Sequence, residues 1–105
     1  MIFITGPLYS GKRTFANALP GTRIAEVQNL AKDADDLEKL ADKLAAYDIV
    51  ISTEVGGGVV PVDAGERAAR DAAGRLACLL ASRAQCVVQM FCGIPTILKG
   101  ELPPC

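Results

Sequence analysis

"ITGPLYSGKRTF", residues 4–15, carries Gly6, four residues, then Gly11 and Lys12. That is the spacing of a phosphate-cradling loop. Glycines let backbone N–H groups curl around phosphate oxygens with no Cβ in the way. A helix that follows turns the positive end of its dipole toward the anion, and Lys12 is placed to hold the charge of a transferring phosphoryl group. The flanks supply the required context. "MIFIT", 1–5, reads as a buried strand, and "GKRTFANAL", 11–19, reads as a helix stopped by Pro20 and Gly21. Arg13 breaks the pattern, because such loops carry Ser or Thr there for magnesium. Thr14 lies one residue further on, about 100° around a helix of 3.6 residues per turn. Magnesium keeps several waters in most phosphate sites, so the loss of one protein ligand need not abolish its binding. Arg13 itself either contacts phosphate or points into solvent.

Outward from this stretch, strands and helices alternate. "TRIAEV", 22–27, suits a short strand. "DADDLEKLADKLAAY", 33–47, has Leu37, Leu40, Leu44 and Tyr47 at spacings of three and four, with Asp33, Asp35 and Asp36 at its dipole-favoured N-terminal end. "YDIVIST", 47–53, is a β-branched buried strand, and "EVGGGVVP", 54–61, is a glycine-rich loop. Residues 63–83 form a second long helix with Asp63 as candidate N-cap. Gly74 inside that helix costs roughly 1 kcal/mol relative to Ala, which predicts a close packing contact there. "QCVVQMFC", 85–92, is another strand, and "GIPTILKGELPPC" is a turn, then a hairpin or edge strand and a proline-bearing tail. The alternation predicts one α/β domain over 1–105 with a mainly parallel sheet. Ligands sit beyond the carboxyl ends of the strands in such sheets. Three glycine-bearing loops, 6–13, 53–61 and 92–96, then converge on one edge.

Composition narrows the function classes. The 105 residues suit one core, and half of them are apolar, which argues against disorder. A net charge of −1 lacks the basic excess of a general nucleic-acid binder. No apolar run is long enough to span a membrane, and residues 1–15 lack a signal-peptide core, so a cytoplasmic protein is expected. Cys78, Cys86, Cys92 and Cys105 form no Cys-x-x-Cys pair and the chain has no histidine, which disfavours structural zinc. Cys78, Cys86 and Cys92 read as buried reduced thiols, and Cys105 as exposed.

The second half supplies a resemblance. Thr53-Glu54-Val55-Gly56, Gly56-Gly57-Gly58-Val59-Val60-Pro61, Arg70-Asp71-Ala72-Ala73-Gly74-Arg75 and Cys92-Gly93-Ile94-Pro95 follow one another in order. They resemble motifs of the bifunctional adenosylcobinamide kinase/adenosylcobinamide-phosphate guanylyltransferase family. Gly6, Ser10, Gly11 and Lys12 match that family's phosphate loop, while Pro7 and Arg13 depart from it. The resemblance covers residues 1–14 and about 48–100. It implies a P-loop NTPase-like (RecA-like) three-layer α/β domain that takes ATP or GTP with Mg2+ and phosphorylates the hydroxyl of a corrinoid-like acceptor. Family members are longer and carry a histidine that receives the guanylyl group. With no histidine here, that half of the chemistry is expected to be lost. The family assembles as oligomers, so a homo-oligomer is implied.

On this reading the nucleotide site is Gly6, Pro7, Ser10, Gly11, Lys12, Arg13 and Thr14. Lys12 and Glu54 are the catalytic candidates, Lys12 for the phosphoryl charge and Glu54 for orienting the acceptor hydroxyl or metal. Thr14 and Glu26 are the metal candidates, and Gly57, Arg70 and Asp71 the acceptor candidates. Plainer readings stand beside these. Glu54 could simply pair with a nearby cation, Glu26 could be an edge-strand surface residue, and Arg67, Arg70, Asp71 and Arg75 could be helix-surface ion pairs. The rival functions are a non-catalytic nucleotide-binding or regulatory module derived from the family, and a kinase for an unrelated small molecule.

Overall fold

The computed structural model describes residues 1–7, 11–54 and 64–101. In chain order the elements are β1 (Ile2–Gly6), α1 (Lys12–Asn17), β2 (Arg23–Ile24), α2 (Gln28–Ala31), α3 (Leu37–Leu44), β3 (Ile49–Thr53), α4 (Ala64–Arg83), β4 (Cys86–Phe91) and β5 (Ile94–Lys99). The five strands form one sheet in the order β2-β3-β1-β4-β5. The first four run parallel; β5 returns antiparallel to β4. The sheet is therefore mixed, and among the described residues its one antiparallel pair lies at an edge.

Period-two alternation sorts the strand side chains into two apolar layers. Phe3, Val50 and Val87 pack with Val27, Ala31, Ala41, Leu44, Leu76 and Leu80, which α2 with its N-cap Val27, α3 and α4 bring over one face. Ile2, Ile4, Ile49, Ile51, Val88 and Met90 face the other way and are covered by Ala16 and Leu19 from α1 and its end. Helices thus lie on both faces. β3 is buried along its whole length, as the apolar run "IVIS" demands of a central parallel strand.

Several boundaries differ from the sequence expectation. The helix expected over 33–47 begins only at Leu37, because Asp36 takes the N-cap and its Oδ1 accepts from the N–H groups of Glu38 (3.0 Å) and Lys39 (3.3 Å). Asp33 and Asp35 therefore precede the helix, and Tyr47 lies beyond its end, exposed. The strand expected over 22–27 shrinks to Arg23–Ile24, pairing with β3. The next residues turn into α2, a single helical turn with no period long enough to announce it. Cys78 and Cys92 are exposed; only Cys86 of the described thiols is buried. Cys78 occupies an outward position on α4, and Cys92 forms the β4–β5 turn with Gly93, at φ 50° and 75°. Gly74 also departs from expectation, since a Cβ there would meet no atom within 4 Å. Asp63 and Cys105 lie outside the described residues.

Candidate functional site

The carboxyl ends of β1, β3 and β4 lie side by side in register, Gly6 opposite Thr53 and Thr5 opposite both Ser52 and Gln89. Parallel pairing of apolar runs sets all three ends at one level, and the chain becomes polar there. The described parts of the three expected loops meet at this edge. Glu54 N donates to Gly6 O at 2.8 Å, which ties the exit of β3 to the end of β1. Gly11, at φ 90°, caps α1 so close to the β4–β5 turn that a Cβ on it would lie 3.2 Å from Gly93 Cα.

Lys12 opens α1 and turns its side chain back, and Nζ donates to Pro7 O at 2.7 Å. The residue is only 6 % exposed. Burial pulls its pKa below 10.5, while the carboxylates of Glu26 and then Glu54 act in the opposite direction and Arg13 adds to the lowering. Glu26 and Glu54 thus share the electrostatic field of one buried ammonium.

Glu26 sits at φ 58°, a backbone state that non-glycine residues seldom adopt. Thr53 Oγ1 lies 3.1 and 3.2 Å from its two carboxylate oxygens, and Gln28 Nε2 donates at 2.6 Å. Arg13 Nη2 approaches Glu26 Oε1 at 3.8 Å. Gln28 is buried, and its Oε1 accepts from Thr53 N at 3.0 Å and Ser52 Oγ at 3.4 Å. Nothing in the sequence singled out Gln28; its importance arises from a fold that sets α2 against the end of β3. Gln89 was also missed, although a lone amide inside "CVVQMF" is a signal. Its Nε2 donates to Glu54 Oε1 at 2.8 Å.

Beyond Glu54 an open groove of about 1020 Å³ runs between the strand ends and α4. Thr5, Ser52 and Glu54 line its sheet side, and Arg70, Asp71 and Gly74 its helix side. Lys12, Arg13, Glu26 and Glu54 are therefore brought together, with Gly6, Pro7 and Gly11 beside them, and Arg70 and Asp71 face Glu54's groove. Thr14 is exposed on α1. Ser10 and Gly57 lie outside the described residues. Among the described residues no three His, Cys, Asp or Glu side chains cluster as a metal site, and no helix is long and apolar enough to cross a membrane.

The chain is a mixed α/β protein with a polar cluster and a groove beyond the carboxyl ends of its parallel strands, the place where ligands bind in such sheets. The family is more specific. The model of the cobinamide kinase / cobinamide phosphate guanyltransferase family matches residues 22–98, well over half the chain, and the chain belongs to that family. Membership carries the family's kinase and guanylyltransferase setting in cobalamin biosynthesis, with nucleoside triphosphate and cobinamide as its substrates. The match starts downstream of Gly6–Thr14, so it does not bear on the phosphate-loop reading of that stretch. No curated protein matches the chain.

Proposed function

We propose that the chain is a P-loop NTPase-like (RecA-like) kinase that binds ATP or GTP along Gly6–Thr14 and transfers the terminal phosphoryl group to the hydroxyl of an adenosylcobinamide-like acceptor. The carrying observation is the buried Lys12 ammonium, held at the loop carbonyl of Pro7 and influenced by Glu26 and Glu54, at the same sheet edge as the groove. Lys12 stabilises negative charge on the transferring phosphoryl group. Glu54, fixed by Gln89 and by its own N–H on Gly6, accepts a hydrogen bond from the acceptor hydroxyl and orients it for in-line attack. Arg70 and Asp71 hold polar groups of the acceptor across the groove.

Magnesium bound with the nucleotide would find Thr14 and Glu26 as its protein donors. They do not make a suitable set. Thr14 stands exposed one position past the usual ligand, and Glu26 is already occupied by Thr53, Gln28 and the Arg13 cation. Guanylyl transfer through a histidine has no residue to carry it, since the chain contains none.

The test is phosphate transfer from labelled ATP or GTP with and without cobinamide. Cobinamide-dependent transfer supports the kinase. Nucleotide binding without transfer to any acceptor would favour the second reading, a nucleotide-binding module, for which the Arg13–Glu26 pair is the favouring observation.

A further inference from the structure

The residue after the phosphate-loop lysine is an arginine, and it leans on the carboxylate that a metal would need. We propose that Arg13 binds the phosphates of the nucleoside triphosphate directly and so makes nucleotide binding independent of a divalent cation. The inference rests on the reading of Gly6–Thr14 as the phosphate loop.

Arg13 is the second residue of α1, next to Lys12. Its guanidinium keeps its charge at any working pH and presents a planar fork of donors that matches phosphate oxygens. The side chain is 72 % exposed and its contact with Glu26, at 3.8 Å, is longer than a hydrogen bond. Such exposed pairs are weak, so an arriving anion can take the guanidinium over. Glu26 does not depend on it. Thr53 Oγ1 and Gln28 Nε2 continue to donate to the carboxylate when Arg13 leaves.

The same geometry argues against a divalent ion beside Glu26. Two cations, Lys12 and Arg13, already act on this carboxylate, and a metal there would sit against both positive charges. Two positive side chains, one buried and fixed and one exposed and movable, supply the charge that an ion and one fixed lysine would otherwise share.

Calorimetric titration with ATP and with GTP tests this, each in EDTA and in magnesium chloride, on the full chain, Arg13→Ser and Arg13→Lys. The native protein should bind its nucleotide with nearly equal affinity in both media. Arg13→Ser should lose on the order of tenfold in EDTA, about 1.4 kcal/mol, and recover much of it in magnesium, since the hydroxyl restores the usual ligand. Arg13→Lys should keep most of the metal-independent binding. Thermal melts check that the exposed substitutions leave the fold intact. A native protein that binds only with magnesium, or an Arg13→Ser variant that binds as tightly as the native protein in EDTA, overturns the inference while the phosphate loop stands. No binding by the native protein in either medium at millimolar nucleotide overturns the phosphate-loop reading and the inference with it.

Discussion

Gly11 and Gly93 approach closely across the carboxyl edge of the sheet: a Cβ built on Gly11 would stand 3.2 Å from the Cα of Gly93. The start of α1 is thereby set against the turn of the β4–β5 hairpin. Gly11 also holds φ 90°, so a side chain would meet both backbone strain and a backbone neighbour that cannot rotate away. Gly11→Ala should lose about 1–2 kcal/mol of stability from the left-handed backbone alone, read as a lowered Tm. It should weaken nucleotide binding as well, because relief of the contact moves either the loop or the hairpin.

Glu54→Gln keeps the side chain's shape and its place beside Gln89 but removes the charge. If the proposed transfer takes place, turnover should fall about a hundredfold, the equivalent of roughly 3 kcal/mol of transition-state stabilisation. Nucleotide affinity should change little. Steady-state kinetics with cobinamide, set beside nucleotide titration, separates the two. Undiminished turnover removes Glu54 from the chemistry.

Lys12 gives a pH dependence with a definite sign. Its folded-state pKa lies below 10.5, with burial the leading cause. As pH falls from 10.5 the unfolded chain takes this proton first, so the folded state loses stability, and the loss is complete below the folded value. Stability from this group should therefore rise as pH climbs toward 10.5. Lys12→Met should be more stable than the native chain near neutral pH, and the difference should shrink as pH rises through that window. Urea midpoints of the two proteins from pH 7 to 10.5 measure it. A constant difference across the range would show that the Lys12 charge carries no such cost.

Gly74 predicts opposite effects on stability and binding. A Cβ there has open space, so Gly74→Ala should gain about 0.8–1 kcal/mol from helix propensity, seen as a raised Tm. Gly74→Leu projects into the groove beside Arg70 and Asp71. It should raise the KM for cobinamide and leave nucleotide affinity unchanged. An unchanged KM would place the acceptor elsewhere.

The alternation of "MIFIT", "DIVIST" and "CVVQMF" with helical stretches made the α/β class legible, because buried parallel strands need continuous apolar runs and their connections need helices. Their local spacing made Gly6, Gly11 and Lys12 stand out as candidates, and the structure sets all three at the carboxyl edge of the sheet. The exposure of Cys78 and Cys92 was not legible, since an apolar neighbourhood in sequence does not say which side of a helix or turn faces the core. The one-turn helix α2 escaped because four residues hold too little of a 3.6-residue period to be recognised.

The sequence by itself determined the alternation of apolar strand runs with helical stretches, and which charged residues are available. The alternation depends on side-chain period, which is local. Tertiary structure alone decided the company those residues keep. Register places Thr5 between Ser52 and Gln89. The positive φ of Glu26 and the packing of α2 bring Glu26 and Gln28 to Thr53. Lys12 is drawn from solvent into the field of two carboxylates from segments 14 and 42 residues away in sequence. Contacts of that separation depend on the whole sheet being assembled, because only strand order and register set the distances between loops that the chain itself keeps far apart.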